Sequence, residues 1–524
     1  MASSSLQRFF DAVATLIGEE NISRTPSHGA LQGPHGQHSY ADPFALHAKH
    51  DPSGAVRPKE VPEVQEILRL ANAHLVHLWT VSRGKNLGYG GAAPINEESA
   101  YAIVEPGVSF FDLYHEIKKR GLNLWPSVPA IGWGSVLGNT LDRGFGYTPQ
   151  GEHSQSQCGM EVVLPTGELI RTGMGAMKDS ALFPLFKGWI GWLTILQWLW
   201  SQSDAFTVPT IGVVTKIGMH ITPAPEAYAT VEVSVPQESD LVPLVGILSD
   251  LMRRSVILNS PSIANIFRIA LTSQNPEVLA EMKKYMNPGS CVPYSALEEI
   301  RTRQGWGFWK AYFSLYAPVE VLPGLLKTIQ RAFSVIPGAT VEWREFPGAT
   351  GQVINSDEVG FEEVPHSGIP TLAPLESLNS RQQGSGHVCS SPILPPSGRE
   401  LYDWYLTAKQ RTIDAQFDFF ADFHVYPRYV LAIELVVYAP HEEQSMDRLF
   451  RHLLQDAAAQ GYTEYRTHVE YMDEVASHFD FNGGALRRFT TLLKDTLDPV
   501  GVLSPGKSGI WNSDRVDQRV MSHV

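Results

Sequence analysis

Two glycine-rich stretches hold the residues that most clearly could do chemistry. The first, residues 82–94, reads "SRGKNLGYGGAAP" and places Tyr89 between two of its four glycines. The second, residues 130–149, reads "AIGWGSVLGNTLDRGFGYTP". Backbone N–H groups without Cβ cover can line a phosphate. Neither stretch has the spacing of a dinucleotide fingerprint, and "SPGKS" near the chain end is not a Walker A loop. Each stretch alone is more often a set of tight turns than a phosphate site, but two of them in one region shift the balance toward a pyrophosphate.

The elements that must position these stretches are predicted to be mixed helices and strands. Apolar residues at helical spacing predict a helix over residues 61–73, and "FFDLYHEIKKRG" predicts a second helix that stops at Gly121. "VHLWTVS" predicts a strand that runs into the first glycine stretch, and the turn around Gly167 predicts a hairpin. Longer helical stretches and strands such as "YVLAIELVVYAP" follow. The chain therefore mixes helix and sheet throughout.

Composition bounds the class of function. The 524 residues exceed one compact core, which predicts two or more domains. A net charge of −14 argues against nucleic acid or an anionic membrane as partner. Three widely spaced cysteines predict neither a disulfide framework nor a metal site. The N-terminus does not read as a secretory signal, and the apolar stretch at 188–200 is shorter than the ~20 residues of a membrane span. A cytoplasmic protein is expected.

Seven stretches, in order along nearly the whole chain, resemble the vanillyl-alcohol oxidase / p-cresol methylhydroxylase family of flavoproteins. They are "SRGKNLGYGGAAP", "VEPGVSFFDLY", "GSVLGNTLDRGFGYTPQGEH", "GMEVVLPTGELIRTGMGA", "SQS…IGVVTKIG", "EYRTH" and "DPVGVLSPGKSGIW". The resemblance implies an α+β fold with an FAD domain of the p-cresol methylhydroxylase type, split in sequence, and an inserted α+β cap domain. Residues 1–227 and 463–524 would form the FAD domain and residues 228–462 the cap. A homodimer or larger homo-oligomer is expected.

The resemblance also implies FAD as cofactor and names its contacts. The first glycine stretch would cradle the pyrophosphate through Ser82, Gly84, Lys85, Asn86 and Gly88. The second would wrap the other side through Ser135, Gly138 and Asn139. Arg466 is expected near the isoalloxazine ring. Family members commonly join FAD covalently to a cap histidine, and the matching position in "GSGHVCSSP" is His387. Taken alone, His387 would be an ordinary packing histidine.

A phenolic substrate is implied as well. Family members oxidise para-alkylphenols and hydroxybenzyl alcohols as phenolates, and the residues that match the family's phenolate-binding trio are Tyr89, Tyr465 and Arg466. Tyr147 matches a further active-site tyrosine. Ionising a phenol at pH 7 costs about 4 kcal/mol, which charge-assisted hydrogen bonds of roughly 1.5–3 kcal/mol each offset.

The resemblance therefore implies an FAD-dependent oxidase of aromatic secondary metabolism. It would transfer a hydride from the benzylic carbon to flavin N5 and reduce O₂ to H₂O₂. The benzylic carbon would become an aldehyde when the substrate is an alcohol, or pass through a quinone methide when it is an alkylphenol. A dehydrogenase with another electron acceptor, or a flavin-binding protein without turnover, stays open.

The chain departs from the family at three places, one of which is the cavity, where Cys389, Leu372 and Pro374 replace bulkier or acidic family residues. Ala130 stands where the family often has an aspartate that serves flavin attachment and substrate deprotonation. In the predicted strand "FADFHVYPR", Asp422 and His424 point the same way. We hypothesise that Asp422 replaces the missing carboxylate with His424 nearby, although a hydrogen-bonded pair at a strand edge is the alternative. Residues 188–211 are also longer and more apolar than the family's equivalent, with no role that the sequence explains.

Overall fold

The computed structural model describes residues 2–24, 53–82, 92–149, 151–173, 210–359, 365–374, 381 and 385–515. None of the helices in these ranges has the combination of length and apolar character that crossing a membrane requires. The helices are α1 Ala2–Ile17, α2 Val61–His74, α3 Phe110–Lys119, α4 Val136–Leu141, α5 Leu241–Arg253, α6 Ile266–Leu271, α7 Pro276–Met282, α8 Tyr294–Gln304, α9 Leu322–Phe333, α10 Ser356–Val359, α11 Gly398–Asp414, α12 Glu443–Ala459, α13 Met472–Ser477 and α14 Phe481–Leu497.

Strands form two main sheets and two short strand pairs within the same ranges. The strands are β1 Ile22–Ser23, β2 Ala55–Val56, β3 Ala92–Asn96, β4 Tyr101–Val104, β5 Leu124–Trp125, β6 Gln157–Val163, β7 Leu169–Gly173, β8 Val213–His220, β9 Thr222–Pro223, β10 Ala227–Val235, β11 Ser262–Asn265, β12 Trp309–Ala317, β13 Thr340–Pro347, β14 Gly386–Ser390, β15 Pro392–Leu394, β16 Phe420–Val425, β17 Val430–Tyr438 and β18 Thr463–Glu464.

The first sheet has the order β3-β4-β8-β6-β7 and shares one buried core with helices α3 and α4. The predicted helices are confirmed as α2 and α3, and the predicted hairpin is confirmed as β6–β7, which turns at Gly167 with φ of +83°. Helix α3 begins with a capping box, in which Ser109 accepts from Asp112 N at 3.0 Å. Phe110 N then donates to Gly134 O, which ties the helix start to the second glycine stretch.

The segment before the first glycine stretch differs from its prediction. Instead of a strand over "VHLWTVS", the backbone forms one parallel bridge, between Leu78 and Leu503. Leu78 N donates to Val502 O at 2.7 Å and Leu78 O accepts from Ser504 N at 2.9 Å. The segment around Leu503 therefore pairs with Leu78, which precedes the first glycine stretch in the chain. The domain boundaries given above stay a prediction.

The second sheet, called the large sheet here, has the order β13-β10-β12-β11-β16-β17-β15-β18, with β14 also paired to β17. Helices α5, α11 and α12 cover one of its faces through the fully buried Leu248, Trp404 and Leu453. On β17, Ala432 and Val436 point into this core. Because side chains alternate along a strand, the intervening residues point to the opposite face, which is left for a site.

This opposite face is called the inner face of the large sheet. Its half-buried β17 residues are Ile433, Leu435 and Val437. The antiparallel register sets His387 opposite Val437 and Cys389 opposite Leu435 on one side, and Asp422 opposite Ile433 on the other. Directly paired residues share a face. The inner face therefore carries a histidine, a cysteine and an aspartate among apolar side chains.

Candidate active site

The second glycine stretch folds around α4 instead of remaining an open loop. Ser135 caps this helix by accepting from Gly138 N at 3.2 Å. Asn139 Oδ1 lies 2.5 Å from His153 Nδ1, and Asn139 O accepts from Gly144 N at 2.6 Å. The side chains of Ser135 and Asn139 are thus engaged within the protein. Their predicted contact with FAD stays a prediction.

Gly146 lies where a side chain cannot fit. A Cβ there would lie 2.3 Å from Ser127 Oγ and 2.7 Å from His153 Nε2. Gly146→Ala is expected to lower the free energy of unfolding by about 1–3 kcal/mol, the usual cost of overpacking, and to reduce bound flavin. Thermal unfolding and flavin absorbance of the purified protein measure both. Gly134→Ala is the matched control, because a Cβ there meets nothing nearer than Ile131 O at 3.9 Å. Equal losses in the two variants would contradict the prediction.

Tyr465 and Arg466 come together directly after β18. Tyr465 N donates to Ser391 O at 2.8 Å, and the Tyr465 hydroxyl donates to Arg143 O. The Arg466 guanidinium carbon lies 5.0 Å from the centre of the Tyr465 ring. Burial, aided by the charge of Arg466, lowers the pKa of His153 to about 3. Arg466 therefore lies next to Tyr465, and its charge acts on His153, which contacts Asn139 of the second glycine stretch.

Tyr147 belongs to a buried cluster that also contains Tyr465. The cluster consists of Phe145, Tyr147, Tyr426, Leu431 and Tyr465. Ala130, where the resemblance leads one to expect an aspartate, packs against it. The centre of the Phe145 ring lies 5.8 Å from that of Tyr147 and 6.3 Å from that of Tyr426. Burial raises the pKa of Tyr147, and the charge of Asp422 raises it further. Tyr147 is thus a neutral phenol packed within this cluster.

Asp422 and His424 lie on the same side of β16, as the alternation predicts. Asp422 Oδ1 accepts from Ser262 Oγ at 2.8 Å and from Arg268 Nη1 at 2.7 Å. His424 Nε2 lies 3.2 Å from the same oxygen, a contact without good hydrogen-bond alignment. Burial would raise the pKa of Asp422, but Arg268 and His424 outweigh it and hold this pKa well below its ordinary value. Asp422 is therefore ionised, and β16 lies between β11 and β17, not at a sheet edge.

His424 connects this carboxylate to the aromatic cluster. Its ring centre lies 4.5 Å from that of Phe145 and 5.7 Å from that of Tyr147. Phe145 and Tyr147 share their cluster with Tyr465. Tyr465, Phe145, Tyr147 and His424 therefore form one continuous wall of side chains. The cation Arg466 lies at its Tyr465 end and the ionised Asp422 at its His424 end. Such an arrangement can hold an anionic ring and accept a proton from it elsewhere.

His387 lies on the inner face, on the strand that leads to Ser391 and hence alongside Tyr465. The residues around it on this face are the half-buried Cys389, Leu435 and Val437. A planar isoalloxazine ring requires an apolar surface with a few polar groups at its rim. This face, with an imidazole on it and the cation Arg466 close to Tyr465, fits FAD. The predicted attachment of FAD to His387 stays a prediction.

Several predicted residues lie outside the described ranges. They are Gly84, Lys85, Asn86, Gly88 and Tyr89, together with residues 188–209 of the long apolar stretch. Ser82, the last described residue before this gap, is half-buried. The predicted pyrophosphate cradle and the predicted role of Tyr89 stay predictions.

Sequence reasoning missed polar residues that surround the predicted site. Arg143, whose carbonyl accepts from Tyr465, adopts a left-handed φ of +54°. Burial lowers the pKa of its guanidinium, opposed by nearby acidic groups. Tyr429 donates to Glu152 at 2.7 Å, and burial raises the pKa of Glu152. The neighbouring Gly144 was the one available signal for Arg143, because a residue next to a glycine turn can carry unusual backbone angles.

His366 was also missed, and it lies against a predicted residue. Its ring stacks on that of Tyr147, with the centres 5.3 Å apart and the planes 21° from parallel. Ser314 Oγ lies 2.9 Å from His366 Nδ1. Its local sequence, "VPHSGIP", has no periodicity that assigns a face, so no signal could have found it.

Comparison with known proteins identifies the family. The family described as FAD binding domain matches residues 52–173. The 4-cresol dehydrogenase (hydroxylating) flavoprotein subunit of Pseudomonas putida is 31% identical over 491 residues, covering 88% of this chain and 89% of that protein. The structure of 4-ethylphenol oxidase from Gulosibacter chungangensis with isoeugenol superposes with a TM-score of 0.82 at 26% identity, covering 98% of both chains. Substrate-bound p-cresol methylhydroxylase superposes with a TM-score of 0.81 at 27% identity, covering 97% of both chains.

Identity of this extent over almost the full length, together with two matching two-domain structures, confirms the mixed α and β fold, the FAD cofactor and the flavoprotein resemblance. The chain belongs to the vanillyl-alcohol oxidase / p-cresol methylhydroxylase family and is an FAD-dependent oxidoreductase.

Proposed function

We propose that this protein oxidises a phenolic substrate at its benzylic carbon. A hydroxybenzyl alcohol would become an aldehyde, and an alkylphenol would pass through a quinone methide. The observation that carries this proposal is the continuous wall from Arg466 and Tyr465, through Phe145, to the ionised Asp422. The names of the similar proteins, a 4-cresol dehydrogenase and a 4-ethylphenol oxidase, agree with this substrate class.

The phenol end of the substrate would lie at Arg466 and Tyr465, with Tyr89 as third partner. Arg466 remains charged at every working pH, so it can stabilise a phenolate without giving up a proton. The Tyr465 hydroxyl donates to Arg143 O in the structure and would turn to the phenolate oxygen on binding. A phenolate pushes electron density toward the benzylic carbon, which makes the loss of a hydride from that carbon easier.

FAD, when bound, would supply the hydride acceptor of this oxidation, and O₂ would be the final electron acceptor, reduced to H₂O₂. Asp422 would act at the benzylic end of the substrate. Its ionised carboxylate would accept the proton of the benzylic hydroxyl as the carbonyl forms, and His424 Nε2 lies 3.2 Å from one of its oxygens. Ala130 cannot hold a proton, so Asp422 on β16 would replace the family aspartate from a different element. Tyr147 and Phe145 would keep water from the ring.

His387 is proposed as the residue that attaches FAD covalently. His387→Ala is expected to release all flavin from the chain on denaturation, because no histidyl bond would hold it, while the wild type retains it. Acid precipitation followed by absorbance of pellet and supernatant measures this. Cys389→Ala is the matched control, since Cys389 lies on the same face two residues along β14 and its thiol is the other nucleophile there. Flavin retained by His387→Ala but lost from Cys389→Ala would contradict the assignment.

The acceptor and the reaction are tested together. Purified holoenzyme would be given 4-hydroxybenzyl alcohol and 4-ethylphenol while oxygen consumption and H₂O₂ are followed. Stoichiometric H₂O₂ with aldehyde supports the oxidase. A second candidate, a dehydrogenase with another acceptor, is favoured by the 31% identical relative that is named a dehydrogenase. Turnover with an artificial dye but not with O₂ would favour it, and reduction of the flavin by neither phenol would overturn both.

A further inference from the structure

Two histidines flank Tyr147 in the proposed substrate cavity, and the reaction above uses only one of them. His424 meets the Tyr147 ring edge-on, with the planes 70° apart, and contacts Asp422. His366 stacks on the Tyr147 ring instead. The Tyr316 hydroxyl donates to His366 O at 2.7 Å, which fixes the backbone under the imidazole. His366 is therefore fixed in position beside Tyr147, and the reaction proposed above gives it no role.

A buried chain of hydroxyls determines which nitrogen of His366 carries the proton. Tyr228 and Ser314 are both fully buried. The hydroxyl of Tyr228 lies 3.0 Å from Ser314 Oγ, which lies 2.9 Å from His366 Nδ1. If Nδ1 donated to Ser314, either the Ser314 or the Tyr228 hydroxyl proton would lack a hydrogen-bond acceptor among the described residues. The opposite direction, Tyr228 to Ser314 to Nδ1, gives both hydroxyl protons an acceptor.

Nδ1 is thus an acceptor, and the ring proton of the neutral imidazole must be on Nε2. Burial lowers the pKa of His366 to about 4, and the neighbouring His424 and Arg268 lower it further against the pull of Asp422. The ring is therefore neutral at pH 7. His366 therefore has one N–H donor, at Nε2 of the ring that stacks on Tyr147, whereas Asp422 offers an acceptor.

From this geometry we propose that His366 Nε2–H donates a hydrogen bond to the oxygen of the substrate's para side chain. This rests on the proposed function and narrows its substrate class. Hydroxybenzyl alcohols and the aldehydes they yield carry that oxygen, whereas alkylphenols do not. A site that hydrogen-bonds a substrate oxygen disfavours the analogue without it, because the buried donor is then left unpaired. His366 is thus a specificity-determining residue for oxygenated side chains.

Replacement of His366 by leucine tests the assignment in the holoenzyme. kcat/KM for 4-hydroxybenzyl alcohol is expected to fall about tenfold, the worth of one neutral hydrogen bond, while kcat/KM for 4-ethylphenol stays within about threefold of wild type. His366→Gln, whose amide N–H donates, should restore most of the loss. Equal losses on both substrates, or none on the alcohol, would overturn the proposal.

Binding of the product gives a readout that does not depend on turnover. 4-Hydroxybenzaldehyde has a carbonyl that only accepts, so its affinity should depend on His366 and not on Asp422. Titration followed by flavin absorbance is expected to show about tenfold weaker binding to His366→Leu. Ser314→Ala removes the hydrogen bond that fixes the tautomer of His366. Its affinity for 4-hydroxybenzaldehyde should therefore lie between those of the wild type and His366→Leu. Unchanged binding in both variants would overturn the role of His366, whereas absence of turnover in the wild type would overturn only the proposed function.

Discussion

Replacing Arg466 by methionine is expected to lower kcat/KM for 4-hydroxybenzyl alcohol by about 300-fold at pH 7, the largest effect of any single change here. Ionising the phenol at that pH costs about 4 kcal/mol. Arg466 is the permanent cation at the Tyr465 end of the cavity, and methionine keeps the length of the side chain without the charge. Steady-state kinetics on protein normalised to its flavin content measures the loss.

The pH dependence separates phenolate stabilisation from damage to the site. As the pH approaches about 10, the free substrate is itself a phenolate, so the deficit of Arg466→Met should narrow. Arg466→Lys is the matched variant, because it keeps the charge but loses the planar fork of donors, and it should fall between the two. A deficit of the same size at pH 7 and pH 9.5 would show that Arg466 does not act on ionisation of the phenol.

The elements with short-range signals could be predicted from the sequence. Helix α3 was predicted because its apolar residues recur at helical spacing, and Ser109 caps it as such starts require. Asp422 and His424 could be placed on one side of β16 because alternation along a strand has a fixed period. The family resemblance then assigned Asp422 and His424 to the expected substrate site. It also named Tyr465 and Arg466, from later in the chain, as residues of that site.

The residues that complete the site depend on contacts that no local pattern records. Arg268 begins no motif, yet it lies 2.7 Å from Asp422, which is 154 positions further along the chain. His366 lies in an aperiodic loop and gains its tautomer from Ser314 and Tyr228 on other strands. The segment at Leu78 has the composition of a strand but finds one bridging partner, at Leu503, because sheet pairing needs a neighbour that the sequence does not specify.

Asp422→Asn is expected to lower kcat for 4-hydroxybenzyl alcohol by about 100-fold. Asparagine keeps the shape of the side chain but cannot accept the benzylic proton. The loss should be much smaller for 4-ethylphenol, which has no hydroxyl proton to give up at that carbon. Rapid-mixing measurements of flavin reduction with each substrate report the chemical step itself. Binding of 4-hydroxybenzaldehyde should be unchanged, because that carbonyl needs a donor and His366 is intact.

The charge on Arg268 is the chief confounder, because Asp422→Asn leaves this arginine without its carboxylate partner. Breaking such a pair costs stability when it is buried, so thermal unfolding must accompany the kinetics. Ser262→Ala is the matched control, since it removes the 2.8 Å hydrogen bond to Asp422 and keeps the carboxylate. It should stay within about threefold of wild type. Asp422→Asn could instead slow flavin reduction equally with both substrates, or Ser262→Ala could be as slow as Asp422→Asn. Either result would show that Asp422 has a structural role in the site and does not accept the proton.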